Sequence, residues 1–382
     1  MPDKRYDLCV IGGGLLGTST AYFAARSGLK VALLEERDLA TGASGAAFGG
    51  VSVGIYGYSE ATVPPSYVAL SKASLALYHQ LQDELGPPLD LDAPGSIDPF
   101  YTEEGVARGR ERVTGLKACD VDCELLDREQ IREIEPAISD IIAGAIYCPV
   151  DAHVTPPCVV GAFAKAARQL GAHIETGARV FSLTKQGDRV TGLRASIGDI
   201  STGWVVNTAG IGASQLASTV GVNLPLACSR GQMFVTERMP PLLRTYVHNI
   251  KQTAVGTIVI GATRENGLKE TATTVQGAKE VLSWAARLIP ALAQVNLLRS
   301  WAGIRPVPPD GYPVIGPVEG LDRLLIAVMH RGVTLAPVIG EILVDLITRG
   351  KTRHEIKPFL LSRFANSAAH QLLEASDTFY AS

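Results

Sequence analysis

At 382 residues the chain exceeds the usual size of one hydrophobic core, so two domains are expected. Its 46% hydrophobic and 19% charged residues are those of an ordinary soluble globule, and a net charge of -3 gives no reason to expect nucleic acid or an anionic membrane as a partner. No run approaches the roughly 18 apolar residues that a membrane span requires.

Tyr6 to Ile11 reads as a short apolar strand and Leu15 to Arg26 as a helix rich in small residues. Between them lie Gly12, Gly14 and Gly17 in G-x-G-x-x-G spacing. The first glycine permits a tight turn, the second lets backbone approach a pyrophosphate, and the third lets the helix pack on the strand. The helix start adds free N–H groups and a positive dipole end for phosphates. A second strand, Lys30 to Leu34, ends in Glu35, about where a ribose needs an acceptor for its hydroxyls. Glu35 argues against a 2′-phosphate, with Arg37 as the nearby counterweight, while Glu36 reads equally as a solvated neighbour. The charged Asp3, Lys4 and Arg5 mimic the start of a signal peptide, but a glycine-rich turn after one strand does not belong to such a leader. A cytoplasmic location is therefore expected.

Six scattered cysteines (Cys9, Cys119, Cys123, Cys148, Cys158, Cys228) fit a reducing compartment and complete no metal set. After the second strand comes "RDLATGASGAAFGGVSVG", a glycine-rich loop whose backbone can run close to something flat or anionic; a surface lid is the bland reading of the same residues. The glycine turn alone does not choose between a nicotinamide and a flavin dinucleotide. Further on, Pro156 and Pro157 open a helix, "HIETGARVFSLTKQGDRVTGLRAS" reads as a strand, and "WVVNTAG" as a buried strand. "RGQMFVTE" at 230–237 and "GTIVIGATRE" at 256–265 alternate apolar and polar positions, as an antiparallel sheet with one open face would. "RPVPPDGYPVIG" carries too much proline for helix interior. Leu324 to Val328 reads as a strand, Thr334 to Ile347 as a helix, and the tail from Ser362 as helix-like.

"VIGGGLLGTSTAYFAARSG", "LLEERDLATGASG", "VVNTAG", "WAGIRPVPPDGYPVIGP" and "HRGVTLAPVIGEILVDLI" occur in the order that they have in the FAD-dependent D-amino-acid oxidase family, which the whole chain resembles; its glycine and sarcosine oxidases are the branch most like it. The resemblance implies an α/β fold: a discontinuous Rossmann-type FAD-binding domain with a mostly parallel sheet (residues 1–85, 150–215 and 300–382), and a substrate domain on an antiparallel sheet (86–149 and 216–299). It implies FAD at Gly12, Gly14, Leu15, Leu16 and Gly17, and at Glu35, Glu36 and Arg37. It further implies FAD contacts at Ser44, Gly45, Gly49, Gly50 and Val51, at the main chain of Val180, and at Ala209 and Gly210. Arg331, Gly332, Val333 and Thr334 would face the flavin's N1 and C2 carbonyl edge, where the start of the last helix stabilises negative charge by about 0.3 to 1 kcal/mol. "GASGAAFGG" offers neither histidine nor cysteine, so no covalent flavin link is expected there.

The same resemblance implies oxidation of a C–N bond in an amino acid or secondary amine (glycine, sarcosine, D-amino acid, proline or opine) by hydride transfer to flavin N5. Arg305 in "GIRP" would clamp the substrate carboxylate through two parallel hydrogen bonds; pairing with an acid such as Asp310 is the structural alternative. Glycine oxidases place a second carboxylate-binding arginine where this chain has His330, a departure that points away from glycine itself and leaves His330 to touch substrate or tune the flavin. Tyr56, Tyr58, Tyr246, His248 and Gln252 are candidate pocket lining, and Arg264 and Glu265 read as a solvated strand end. "NIKQTAVGTIVIGATRE" and "MHRGVTLAP" look like the catalytic β chains of heteromeric dehydrogenases, a group that includes opine oxidases, hydroxyproline dehydrogenases, hydrogen cyanide synthase and heterotetrameric sarcosine oxidase. Electron-accepting partner subunits are therefore expected. A free-standing, peroxide-producing oxidase (as a monomer or homo-oligomer), a non-catalytic flavoprotein and an NAD-dependent dehydrogenase stay open as alternatives. No metal is expected.

Overall fold

The computed structural model describes residues 5–53, 63–85 and 89–365. A parallel sheet holds, in spatial order, His173–Glu175, Val31–Leu34, Arg5–Ile11, Gly198–Asn207 and Leu321–Val328. Val314–Val318 closes one edge antiparallel to Leu321–Val328. The central strands are apolar on both faces, and Leu8, Val10, Leu33 and Val206 are completely buried, as a parallel sheet covered on both sides requires. The segment from 173 to 196, expected as one strand, is three. Gly177 at φ +70° and Gly187 at φ +58° turn the chain, and Val180–Gln186 and Arg189–Ala195 form a hairpin that joins the sheet, Arg189–Ala195 lying antiparallel to Gly198–Asn207.

One face is covered by three helices, Leu15–Arg26, Pro156–Gln169 and Gly332–Arg349. Small residues let them approach closely: the Ser19 hydroxyl donates to the Ala336 carbonyl at 2.8 Å, and a Cβ at Gly340 would lie 2.4 Å from Ser19 Oγ. The last helix begins at Gly332, two residues before the expected start.

The second sheet is largely antiparallel, running Glu265–Asn266, Ala227–Arg238, Thr257–Ile260, Ile250–Gln252, Tyr246–Val247, Ser96–Phe100, Gly144–Cys148 and Glu124–Leu126. Tyr246–Val247 and Ser96–Phe100 are its parallel pair. Leu297–Val307 pairs along the other side of Ala227–Arg238, so the domain boundary expected near residue 300 falls inside a strand of this sheet. The open face expected for 230–237 is also closed. Helix Val275–Leu288 lies over it, near enough that a Cβ at Gly277 would sit 2.3 Å from Gln232 Nε2, and the strand is buried from Cys228 to Thr236. Thr257–Ile260 keeps the expected alternation, but the ladder stops at Ile260 and resumes at Glu265. Among the described residues no helix is long and apolar enough to cross a membrane.

Candidate active site

The glycine turn is built by mutual exclusion of side chains. Gly12 has φ +107°, and a Cβ there would lie 2.6 Å from the Thr208 carbonyl oxygen. A Cβ at Gly17 would lie 1.8 Å from the Gly12 carbonyl oxygen, and one at Gly14 would lie 2.7 Å from Ser44 Oγ. Each contact is far below van der Waals distance, so the turn requires glycine in all three places. Ser44 Oγ accepts from the Leu15 N–H at 3.0 Å, at the start of the first helix. The Glu35 carboxylate accepts from the N–H groups of Gly13 (2.6 Å) and Arg37 (2.9 Å), which fixes it at the end of its strand. Glu36 pairs across 3.6 Å with Arg179.

Two cavities meet at this turn, of about 510 and 240 Å³, and Gly14, Ala43, Ser44, Thr208 and Gly210 line both. The larger is bounded by Gly12, Glu35, Glu36, Arg37, Val180 and Ala209. The smaller is bounded by Leu15, Leu16, Gly49, Gly50, Arg305 and the run from His330 to Thr334. Gly17, Gly45 and Val51 line neither. Gly17 and Gly45 serve close packing, the latter with its Cβ position 1.8 Å from the Ala40 carbonyl oxygen, and Val51 pairs with Ala152.

The far wall comes from three distant segments. The loop's Gly50–Val51 pairs with Ala152–His153, and Gly49 adopts φ +99° against the Val154 carbonyl. Thr334 Oγ1 donates to the Gly50 carbonyl (3.3 Å) and accepts from Ser52 N–H (3.4 Å), Arg331 Nη2 donates to Ser52 Oγ at 3.0 Å, and Tyr78 donates to the Val333 carbonyl at 2.6 Å. These bonds pin the start of the last helix against the glycine-rich loop, with its N-terminal residues on the cavity. The third segment is the strand pair Ala227–Arg238 and Leu297–Val307, in which Gly231 and Gly303 face each other. A Cβ at Gly231 would lie 2.1 Å from Arg305 Nη2, and one at Gly303 would lie 2.4 Å from Ala46 Cβ. Glycine in a strand interior here marks a close approach. Arg305 lies against Gly231 and donates from Nη1 to the Thr263 carbonyl at 3.1 Å. Asp310 is not its partner: Arg363 holds that carboxylate with two bonds, of 2.7 and 3.0 Å.

His330 is only partly exposed, and burial, with the charges of Arg305, Arg264 and Arg331, holds its imidazole well below the ordinary histidine range. It is neutral at pH 7. Arg264 lines the smaller cavity and is no solvated strand end. Glu265 is held by Arg230 at 2.7 Å, with further bonds from Gln232 and Thr263, and these bring its carboxyl down to about 2. Three of the residues expected as lining serve elsewhere. Tyr246 is buried with its hydroxyl on Asp151 (3.2 Å), His248 Nδ1 contacts Asp98 (2.7 Å), and Gln252 Oε1 accepts from Leu242 and Leu243. Each answers a buried polar demand of the sheet instead of facing the cavity. Tyr56 and Tyr58 lie outside the described residues. Phe48, Met233, Asn249 and Thr263 are lining residues that sequence reasoning missed. Behind Phe48, Lys251 donates to the Val154 carbonyl at 2.7 Å, and burial lowers its ammonium to about 8.

A family model described as FAD dependent oxidoreductase (DAO) matches residues 7–346. The chain is 31% identical to the B component of opine oxidase from Rhizobium meliloti, over 94% of this chain and 97% of that protein. It is 29% identical to the HcnC component of hydrogen cyanide synthase from Pseudomonas aeruginosa, over 95% and 97%. The crystal structure of glycine oxidase from Geobacillus kaustophilus superposes with a TM-score of 0.88 at 29% identity, covering 94% of this chain and 99% of that one.

Proposed function

This chain belongs to the DAO family of FAD-dependent oxidoreductases, and from that premise we propose that it oxidises the C–N bond of a carboxylate-bearing amine, delivering the electrons to a partner subunit. The residues present fit the coenzyme. The three glycines form a cradle that any Cβ would fill, Glu35 stands ready for ribose hydroxyls, and the second cavity continues the first toward a helix N-terminus. Gly12, Gly14, Leu15 and Leu16 would hold the pyrophosphate, Val180 the adenine, Gly49 and Gly50 the ring, and Gly332 to Thr334 its electron-rich edge. Bound there, the flavin would supply the two-electron sink that oxidation of the C–N bond requires.

Arg305 binds the substrate carboxylate through its planar fork and so fixes the α-carbon's orientation, which a point charge would leave loose. The surrounding guanidinium charges disfavour a protonated amine and select the neutral form, whose nitrogen lone pair is needed for the step. The Cα–H bond breaks with both electrons, nitrogen loses its proton to solvent, and a C=N bond forms. Water then adds to that carbon, giving an oxo acid and a smaller amine. A neutral His330 leaves the positive field on the carboxylate undiminished and adds no charge beside the amine. The observation that carries the proposal is the convergence of Arg305 and the 330–334 turn on a cavity continuous with the glycine cradle.

Relatives named as parts of larger enzymes support the electron route: the B component of opine oxidase, HcnC, and the beta component of sarcosine oxidase from Arthrobacter. A free-standing oxidase releasing hydrogen peroxide is the second reading, favoured by the similarity to glycine oxidases. The test is anaerobic reduction of the purified flavoprotein by glycine, sarcosine, proline, D-amino acids and N-carboxyalkyl amino acids, followed by a peroxide assay in air. Bleaching by an amine with little peroxide fits the proposal. Robust peroxide from the chain alone sinks the partner route, and an unbleached flavin with every amine sinks the oxidation itself.

A further inference from the structure

Resting on the coenzyme site proposed above, we infer that Lys251 is a positioning residue of the flavin's wall, whose buried ammonium holds the glycine-rich loop at Gly49 and favours negative charge on the ring when it is reduced. Lys251, in the strand Ile250–Gln252, is 3% exposed and lies just outside the smaller cavity. Its ammonium is set against two residues of the lining. A Cβ at Gly49 would lie 2.9 Å from Nζ, and Nζ stands 5.3 Å from the centre of the Phe48 ring. The third neighbour is the Val154 carbonyl, to which it donates at 2.7 Å. Val154 in turn donates its N–H to the Gly49 carbonyl at 2.8 Å, so ammonium, Val154 and glycine loop form one connected wall.

A neutral amide would satisfy a single carbonyl at a smaller desolvation cost than a full charge does. The acids around Lys251 reach it through charge alone: Asp90 takes the Thr155 hydroxyl, and Asp92 stands 3.6 Å from His153 Nε2. His153, in the strand beside the glycine loop, is held neutral by burial and by the charge of Lys251, which bring its imidazole down to about 3. The Cys158 thiol also lies within reach of the ammonium's field. A fixed cation behind the wall of a low-dielectric cavity acts on charge that develops inside it far more strongly than one in water. Reduction places negative charge on the ring, and Lys251 therefore raises the flavin's midpoint potential. Burial brings the ammonium's own titration down to about 8, so this help is complete well below that pH and fades above it.

The test is the midpoint potential of the purified flavoprotein, read against reference dyes on both sides of pH 8 and without any amine substrate. K251Q keeps a donor for the Val154 carbonyl and removes the charge, whereas K251R keeps the charge and does not titrate in this range. At neutral pH the ratio of reduced to oxidised flavin at a fixed potential is expected to be about tenfold lower in K251Q and close to wild type in K251R. The wild-type potential is expected to fall more steeply above about pH 8, because a lysine that has lost its proton regains it on reduction, and neither variant should show that bend. A role confined to holding the Val154 carbonyl would move neither readout. An unchanged potential in K251Q, or a wild-type plot without the bend, overturns the inference and leaves the coenzyme site standing. A wild-type chain that takes up no flavin overturns both. Should K251Q purify without flavin, the wild-type bend and its loss in K251R decide.

Discussion

The two ends of the joined cavity are built on opposite principles. At one end, recognition is a matter of backbone: three glycines, a helix start and a single carboxylate, Glu35, tied down by two N–H groups. The other end is lined by charged side chains, with Arg305 and Arg264 beside a histidine that burial, together with their charges, keeps neutral. The glycines, the helix start and Glu35 come from one strand–turn–helix–strand unit, to which Val180 and the turn at Thr208 to Gly210 are added from later in the chain. The second is assembled from Phe48 to Gly50, Gly231 and Met233, Thr263 and Arg264, Gly303 and Arg305, and His330 to Thr334. A coenzyme common to many enzymes can be held by a portable local unit, whereas a substrate must be met by groups that only tertiary structure brings together.

The sharpest way to break the contrast is to place atoms in the backbone end. G17V would force a side chain onto the Gly12 carbonyl, and the protein is expected to purify colourless, as flavin content by absorbance would show. Full flavin occupancy in this variant would refute the cradle. Next in size, R305M should keep its flavin yet lose about 100-fold or more in the ratio of reduction rate to Kd, the usual cost of stranding a desolvated charge. E35Q retains the shape of the Glu35 side chain but weakens its charge-assisted bonds, and FAD affinity is expected to fall about tenfold by fluorescence titration.

His330 provides a pH test. Its folded pKa is depressed, so its contribution to stability is present above the unfolded value near 6.5 and is lost as pH falls through the lower folded value. The melting temperature should therefore decline below about pH 6.5, and less steeply in H330N; equal slopes would show that other groups dominate. The smallest effect is expected from E36A. With side chains 57% and 56% exposed, the Glu36–Arg179 pair contributes about 0.5 kcal/mol or less, so thermal stability should barely change.

Much of the first end was legible in the sequence. The spacing of Gly12, Gly14 and Gly17 and the acid closing the second strand are local signals with a local cause, and the helix Leu15–Arg26 begins and ends where the pattern places it. Arg305 and the 330–334 turn were found through their motifs, and the structure sets both on one cavity. Arg264 escaped because nothing in "GATRE" says that the ladder stops at Ile260 and carries the next residues to the cavity. Tyr246 and His248 misled for the converse reason: polar aromatics suggest a pocket, while Asp151 and Asp98, far away in the chain, had already engaged them. The glycines at 231 and 303 carried a faint signal, since glycine is costly inside a strand unless something presses against it.

The strand Leu321–Val328 lies beside Gly198–Asn207, in the interior of the parallel sheet, although more than a hundred residues separate the two in the chain. During synthesis the amino-terminal glycine turn therefore emerges long before the seam that supports it can close. Closing that seam is a contact of long sequence separation, the kind that forms late in folding.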